Sequence, residues 1–211
     1  MPFPFNTSHS SRWARVAVLL GITVNFLPAG TVGAAEVGSL TSQKEKTEKK
    51  EKVIMPMTIT SSSFPHNGVI PARHTCEGHD TSPELFWTEV PEGTKSLVLI
   101  VDDPDAPDPA APKRTWVHWV LYNIPANTDG LTEAIAATDL PAGVLEGLND
   151  WQHTGYGGPC PPVGSHRYFH KLYALDTVLP DLKQPTKAEL EKAMEGHVIA
   201  YSELIGRYQK R

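Results

Sequence analysis

The sequence predicts a β-rich single domain with a large antiparallel or mixed sheet and helices only at its C terminus. The chain has 211 residues with 19 prolines and 16 glycines, a content that implies many turns and argues against a helix bundle. Several segments are rich in β-branched and aromatic residues and have the length of strands. Clear helix signals occur only after residue 185.

Residues 1–34 have the layout of a secretory signal peptide. Arg12 and Arg15 are the only charges before Glu36, and they precede an apolar run over residues 16–29. The run is short and interrupted for a transmembrane helix, and small residues suit cleavage after Ala34. A retained membrane anchor is the alternative. We therefore expect a periplasmic or secreted protein with no stable membrane insertion after signal removal.

Residues 35–53 predict a flexible charged linker, and residues 54–211 the folded domain. Positions 44–52 contain only Lys, Glu and Thr, so they form a solvated tether or a short exposed helix. The domain carries 12 basic and 20 acidic residues. A net negative charge excludes nucleic acid held by bulk electrostatic attraction.

Five segments of the domain predict strands, at residues 57–61, 85–87, 96–101, 115–124 and 166–175. The third is apolar on both alternations, which is typical of a central strand covered on both faces. Strand alternation predicts two sets of side chains that share a face. These are His118 with Trp116, Val120 and Tyr122, and His166 with Tyr168, His170 and Leu172.

The C-terminal region predicts two short helices. Thr186 and Glu189 match a capping box just after Pro185, and Gly196 is expected to end that helix. Apolar positions in residues 197–209 predict the second helix.

Common catalytic signatures are missing from the sequence, including nucleophile elbows, zinc helices and phosphate-binding glycine loops. Two other segments suggest a pocket. An acidic, proline-fixed loop at residues 102–107 follows the central strand, and glycines and prolines at residues 155–162 allow close approach to a ligand. The N–H groups of Gly157 and Gly158, with His166 and Tyr168, are predicted to donate to an oxyanion.

Several motifs resemble the phosphatidylethanolamine-binding protein family, and in particular its bacterial Raf-kinase-inhibitor-like branch. They are Asp103-Pro104-Asp105-Ala106-Pro107, Trp116-Val117-His118-Trp119 and residues 158–168, supported by residues 75–78, 82–83, 149–151 and 186–210. The resemblance covers residues 55–210. It implies a β-sandwich with a large central sheet, short C-terminal helices and a small anion pocket. The implied ligand-binding residues are Asp103, Asp105, Pro107, His118, Gly158, Pro159, His166 and Tyr168.

The resemblance implies a non-enzymatic protein without a cofactor. It implies that the protein binds a phosphorylated small molecule or a phospholipid head group such as phosphoethanolamine. It also implies that the protein inhibits a protein partner through the same pocket. Export argues against a eukaryotic-type kinase as that partner. The two aspartates are expected to orient and charge the histidines and to receive the ligand's ammonium group. Affinity should then fall as pH rises through the histidine pKa values. His153 could add a cation at the rim or face water.

Two alternatives stay open. The first is a metal-dependent or acid/base hydrolase that uses Asp103, Asp105, His118 and His166. The second concerns Cys76 and Cys160, which form either a disulfide, favoured by export, or two separate buried thiols.

Binding of a head group is expected rather than extraction of whole lipids, because no basic patch or long amphipathic helix marks the domain.

Overall fold

The computed structural model describes residues 56–211, which form nine strands and one α-helix. The predicted signal peptide and linker lie outside the described residues. The strands are β1 (Thr58–Thr60), β2 (Gly68–Val69), β3 (Leu85–Thr88), β4 (Ser96–Asp103), β5 (Trp116–Pro125), β6 (Gly130–Leu131), β7 (Leu145–Glu146), β8 (Ser165–Leu175) and β9 (Val198–Gln209), with helix α1 at Lys187–Met194. Two 3₁₀ turns lie at Ala72–His74 and Ala137–Asp139.

The strands form two sheets. Six strands make the large sheet, in the order β2-β9-β8-β4-β5-β7, and three make the small sheet, in the order β1-β3-β6. The large sheet is mixed, because β2 runs parallel to β9 while the other pairs are antiparallel. This confirms the predicted mainly β fold with a large central sheet.

Both faces of the large sheet are covered. On one face an apolar cluster joins Ile59, Leu85 and Trp87 of the small sheet to residues of β4, β5, β8 and β9. On the other face Leu190 and Met194 of α1 pack against Val98, Ile100 and their neighbours. All eight residues of β4 are buried, as the doubly apolar pattern predicted. Burial on two faces fixes the register of β4, whose last residue is Asp103.

The predicted second helix at residues 197–209 is wrong, because this segment forms β9. It pairs with β8 from Ser165 opposite Gln209 to Leu175 opposite Val198. Leu204, Gly206 and Tyr208 alternate inward with the period of a strand. A short apolar segment does not distinguish helix from strand by itself, and here pairing with a long neighbouring strand decides the outcome.

The first predicted helix is confirmed. Thr186 caps it, its side chain accepting from the N–H of Glu189 while the Glu189 carboxylate accepts from the N–H of Thr186 at 2.8 Å. The helix ends at Met194, before Gly196, which has a φ of 80° that suits glycine.

The predicted face of His118 is wrong in part. Val101 pairs with Trp119 and Asp102 with Val117, so His118 is the extra residue of a β-bulge in β5. Val120 and Tyr122 consequently pack in the cluster under α1, whereas His118 contacts Tyr168 on the opposite face. The bulge thus turns the histidine toward the end of the sheet where β4 stops and β8 begins.

Candidate functional site

A cavity of about 340 Å³ lies at the end of the large sheet, where β4 ends and β5 and β8 begin. Antiparallel pairing places these three strand ends side by side. Prolines and aromatic rings supply most of the wall. The lining residues are Asp103, Ala106, Pro107, Trp116, His118, Trp151, Cys160, Pro161, Pro162, His166 and Tyr168.

His118 is held as a neutral ring with its Nδ1 bound to the protein. Nδ1 donates to the carbonyl oxygen of Gly157 at 2.6 Å. Burial lowers the pKa of His118 to about 4, so the ring is uncharged at neutral pH and its Nε2 bears a lone pair. No residue of the described domain is a hydrogen-bond partner for that Nε2. The expectation that an aspartate charges this histidine is therefore wrong, because burial outweighs the nearby carboxylates.

Asp103 and His166 form a buried pair that faces the protein. His166 Nδ1 lies 2.7 Å from Asp103 Oδ2, and its Nε2 donates to the carbonyl oxygen of Val163 at 3.0 Å. The second oxygen of Asp103 accepts from the N–H of Asp105 at 2.8 Å. Burial raises the pKa of the Asp103 carboxyl. Both ring nitrogens of His166 are thus used within the fold, and the predicted donation from His166 to a ligand is not available.

Asp105 binds Arg167 and does not line the cavity. Its two oxygens accept from Arg167 Nε at 2.9 Å and from Nη2 at 2.7 Å, and Oδ2 also accepts from the backbone N–H of Arg167 at 2.9 Å. These hydrogen bonds lower the pKa of the Asp105 carboxyl. The prediction that Asp105 orients a histidine is wrong, and its structural role is to tie the acidic loop to β8.

Gly158 and Pro159 support the cavity wall from behind. The N–H of Gly158 donates to Asp80 Oδ1 at 2.7 Å, and the N–H of Gly157 donates to the carbonyl oxygen of His118 at 3.0 Å. The predicted backbone oxyanion nest is therefore wrong, because both groups are used. A Cβ at Gly158 would lie 2.3 Å from the carbonyl oxygen of His74, so only glycine fits.

A disulfide between Cys76 and Cys160 anchors the same wall, with 5.4 Å between the two Cα atoms. The N–H of Cys76 also donates to the carbonyl oxygen of Pro159 at 3.1 Å. The sequence left open a disulfide or two separate thiols, and the structure contains the disulfide. Cys160 lines the cavity while its partner lies behind it, so the bridge holds the wall against the 3₁₀ turn before Cys76.

Two tryptophans missing from the predicted set complete the cavity. Trp116 meets Trp151 edge to face, with ring centroids 5.3 Å apart, and Trp151 meets His118 in the same way at 5.2 Å. Trp151 is 41% exposed and lies at the mouth, where His153 stacks on it. Arg114 lies over the Trp116 ring at 4.0 Å from its centroid, and places a cation beside this wall residue. Both tryptophans sit within motifs that the sequence singled out, and aromatic residues beside a glycine-rich loop were the available signal.

Comparison with known proteins assigns the family. The phosphatidylethanolamine-binding protein family model matches residues 60–209. A protein of Methanothermobacter thermautotrophicus named UPF0098 is 48% identical over 155 residues, which are 73% of this chain and 99% of that protein. The chain belongs to the phosphatidylethanolamine-binding protein family.

Two solved structures of family members resemble the domain closely. A phosphatidylethanolamine-binding protein homologue from Chlamydia trachomatis shares 41% identity at a TM-score of 0.68, covering 74% of this chain and 99% of that one. Escherichia coli YbcL, a member of the mammalian phosphatidylethanolamine-binding protein family, shares 33% identity at the same TM-score, covering 74% of this chain and 100% of that one. The family fold predicted from the motifs is confirmed.

Within this family member, a second groove of about 500 Å³ is lined by Tyr122, Leu140, Leu145 and residues around Lys183. Its side chains include no buried polar atom without a partner among residues 56–211. The same residues contain no group of three or more His, Cys, Asp or Glu side chains placed to hold a metal ion. No helix within this range is long and apolar enough to cross a membrane. The cavity at His118 is thus the better candidate site.

Proposed function

We propose that this protein binds a phosphate-type anion, free or as a phosphorylated head group, in the cavity beside His118. One observation carries the proposal: Trp116 Nε1, His118 Nε2 and Tyr168 Oη are all buried, belong to lining residues and have no hydrogen-bond partner among residues 56–211. A buried polar atom without a partner costs about 1–3 kcal/mol. A ligand that satisfies all three recovers that free energy on binding.

The cavity suits a small head group. Its volume of about 340 Å³ lies at the lower end of the range for small-molecule sites, and its walls are mainly apolar around a few polar atoms. Such walls exclude water and strengthen the hydrogen bonds inside. A whole phospholipid would require a long apolar channel, which this cavity does not provide. We therefore infer recognition of a head group or a small phosphorylated molecule.

Binding without catalysis is the role that the lining residues favour. Cys160 is bridged, and the lining set contains no Ser, Thr or Lys beside a base. Burial raises the pKa of Tyr168, so its hydroxyl stays protonated as a donor. The hydrolase alternative would need Asp105 at the site, but Asp105 is bound to Arg167.

Export to the periplasm or exterior remains part of the proposal. The signal-like layout of residues 1–34 supports it, as does the Cys76–Cys160 disulfide, because disulfides persist mainly in oxidising compartments. Inhibition of a protein partner through the same cavity is also proposed. The exposed Trp151 and Val163 beside the mouth support it as apolar contacts for such a partner.

Calorimetric titration of the full chain with phosphoethanolamine and inorganic phosphate tests the proposal. Tyr168→Phe, which removes one donor and keeps the ring, should weaken binding about tenfold. Tyr173→Phe is the matched control, because Tyr173 lies on the same strand and packs beside the cluster under α1. If the wild-type protein binds neither probe, or if both variants bind like the wild type, the cavity is not the anion site.

A further inference from the structure

The cavity offers a ligand two hydrogen-bond donors and one acceptor. The indole N–H of Trp116 and the hydroxyl of Tyr168 donate. His118 differs from both, because its Nδ1 proton is committed to Gly157 and only the lone pair of Nε2 is free. An unprotonated nitrogen repels the lone pairs of a fully ionised oxyanion, so a bare anion does not fit all three groups.

We propose that His118 selects a singly protonated phosphate monoester, whose P–OH donates to Nε2 while its two other terminal oxygens accept from Trp116 and Tyr168. The inference deepens the proposed function and rests on it. A hydrogen phosphate monoester has one protonated and two unprotonated terminal oxygens, which match one acceptor and two donors. A phosphodiester has two terminal oxygens and no P–OH, so it leaves Nε2 unsatisfied.

The charge of the cavity also favours a monoanion. Asp103 is hydrogen-bonded to His166 at 2.7 Å, and Arg114 places a cation over the ring of Trp116. A dianion would bring two charges into mainly apolar walls with one cation nearby. A phosphate monoester loses its second proton near pH 6, so a substantial part of it is the monoanion at mildly acidic pH.

The surroundings of His118 keep its Nε2 unprotonated. Asp102 accepts from Lys171 and Lys187, each at 2.8 Å, and Asp150 accepts from the N–H of Val117 at 3.0 Å. These carboxylates are therefore already compensated by other partners. The titratable groups that face His118 are Asp102 and Asp103 on β4, Asp150 in the loop between β7 and β8, and His166, Tyr168 and His170 on β8.

Two matched pairs of probes test the selection by calorimetry with the full chain between pH 5.5 and 8.5. Phosphoethanolamine is a monoester and glycerophosphoethanolamine is a diester, and both carry the same ammonium group. Inorganic phosphate has a P–OH group near neutral pH, whereas sulfate has no acidic proton. The monoester and phosphate should bind about ten- to hundredfold tighter than the diester and sulfate. Their affinity should fall about tenfold per pH unit above the second ionisation of the ligand.

The outcomes separate the two proposals. Equal affinity for monoester and diester overturns the selection by His118 and leaves the anion site intact. A diester that binds with the same pH slope as the monoester also overturns it, because the proton then goes to His118 and not to the ligand. Absence of binding by all four probes overturns the anion site itself.

A variant provides the second test. His118→Asn keeps a side-chain donor for the carbonyl of Gly157 and removes the Nε2 acceptor. Its monoester-to-diester affinity ratio should collapse to near one, while Tyr168→Phe should weaken the monoester and keep a ratio above one. A His118→Asn protein that folds, binds and retains the wild-type ratio refutes the role of Nε2.

Discussion

Two buried histidines should make the protein sensitive to mild acid. His118 and His170 are each almost completely buried, and burial lowers the pKa of each to about 4 from an ordinary 6.5. In the folded state both rings stay neutral until the pH approaches 4. In the unfolded chain both rings take up a proton below pH 6.5. Stability is therefore fully present above pH 6.5 and is lost as pH falls toward 4.

The size of the loss follows from the shift. At pH 5 each histidine lowers the free energy of unfolding by about 2 kcal/mol. One pKa unit corresponds to about 1.4 kcal/mol, and about 1.5 units separate pH 5 from the ordinary pKa. Together the two rings cost about 4 kcal/mol, a large part of the 5–15 kcal/mol that stabilises a typical domain. Asp105 has a lowered pKa and contributes only at more acidic pH.

His170 isolates this effect from ligand binding. It packs against Phe64 with ring centroids 5.6 Å apart, and both of its ring nitrogens lack a partner among residues 56–211. His170→Leu removes one titrating group and two unsatisfied atoms from an apolar environment. Urea unfolding, followed by tryptophan fluorescence, should show the variant gaining about 2 kcal/mol on the wild type between pH 7.5 and pH 5. A difference between the two proteins that does not change with pH would refute the assignment of a neutral buried ring.

Three further predictions concern the wall and the export signal. Reduction of the Cys76–Cys160 bridge, which spans 84 residues, should lower the free energy of unfolding by roughly 4.5 kcal/mol in the chain-entropy model and weaken anion binding, both measurable with and without reductant. Gly158→Ala should abolish binding in a titration, whereas Gly155→Ala, where a Cβ meets open space, should retain binding at some cost from its φ of 88°. N-terminal sequencing of protein recovered from the periplasm or medium should begin at Ala35, and an uncleaved chain in the membrane fraction would contradict the predicted signal peptide.

The sequence predicted the long central strands because buried strands are rich in apolar residues. β4 has five consecutive apolar residues, Leu97 to Val101, so its central place could be inferred without any knowledge of its partners. The capping box at Thr186 is a local signal and was also found. β9 was mistaken for a helix because its apolar spacing is ambiguous, and only the long pairing with β8 makes it a strand.

The sequence identified most of the residues at the site, but it did not predict what each of them does there. Five of the eight expected residues line the cavity, namely Asp103, Pro107, His118, His166 and Tyr168. Asp105, Gly158 and Pro159 lie behind it as supports. A bulge in β5 sets the direction of His118, and such an irregularity depends on the register of two strands that sequence does not fix. Which groups remain free for a ligand depends on the internal hydrogen bonds, which are a property of the folded state.

Those internal bonds decide which polar groups near the pocket are left without a partner in the described domain. Asp105 is bound to Arg167, and Asp103 to His166, so neither carboxylate meets the ligand as a free charge. The same hydrogen bonds hold the acidic loop against β8 and keep the cavity shaped before a ligand arrives. His118 is left as a neutral acceptor beside two aromatic donors. The residues that look most reactive in the sequence therefore build the frame, and the proposed selection of an anion rests on the weakly polar tryptophan, tyrosine and neutral histidine.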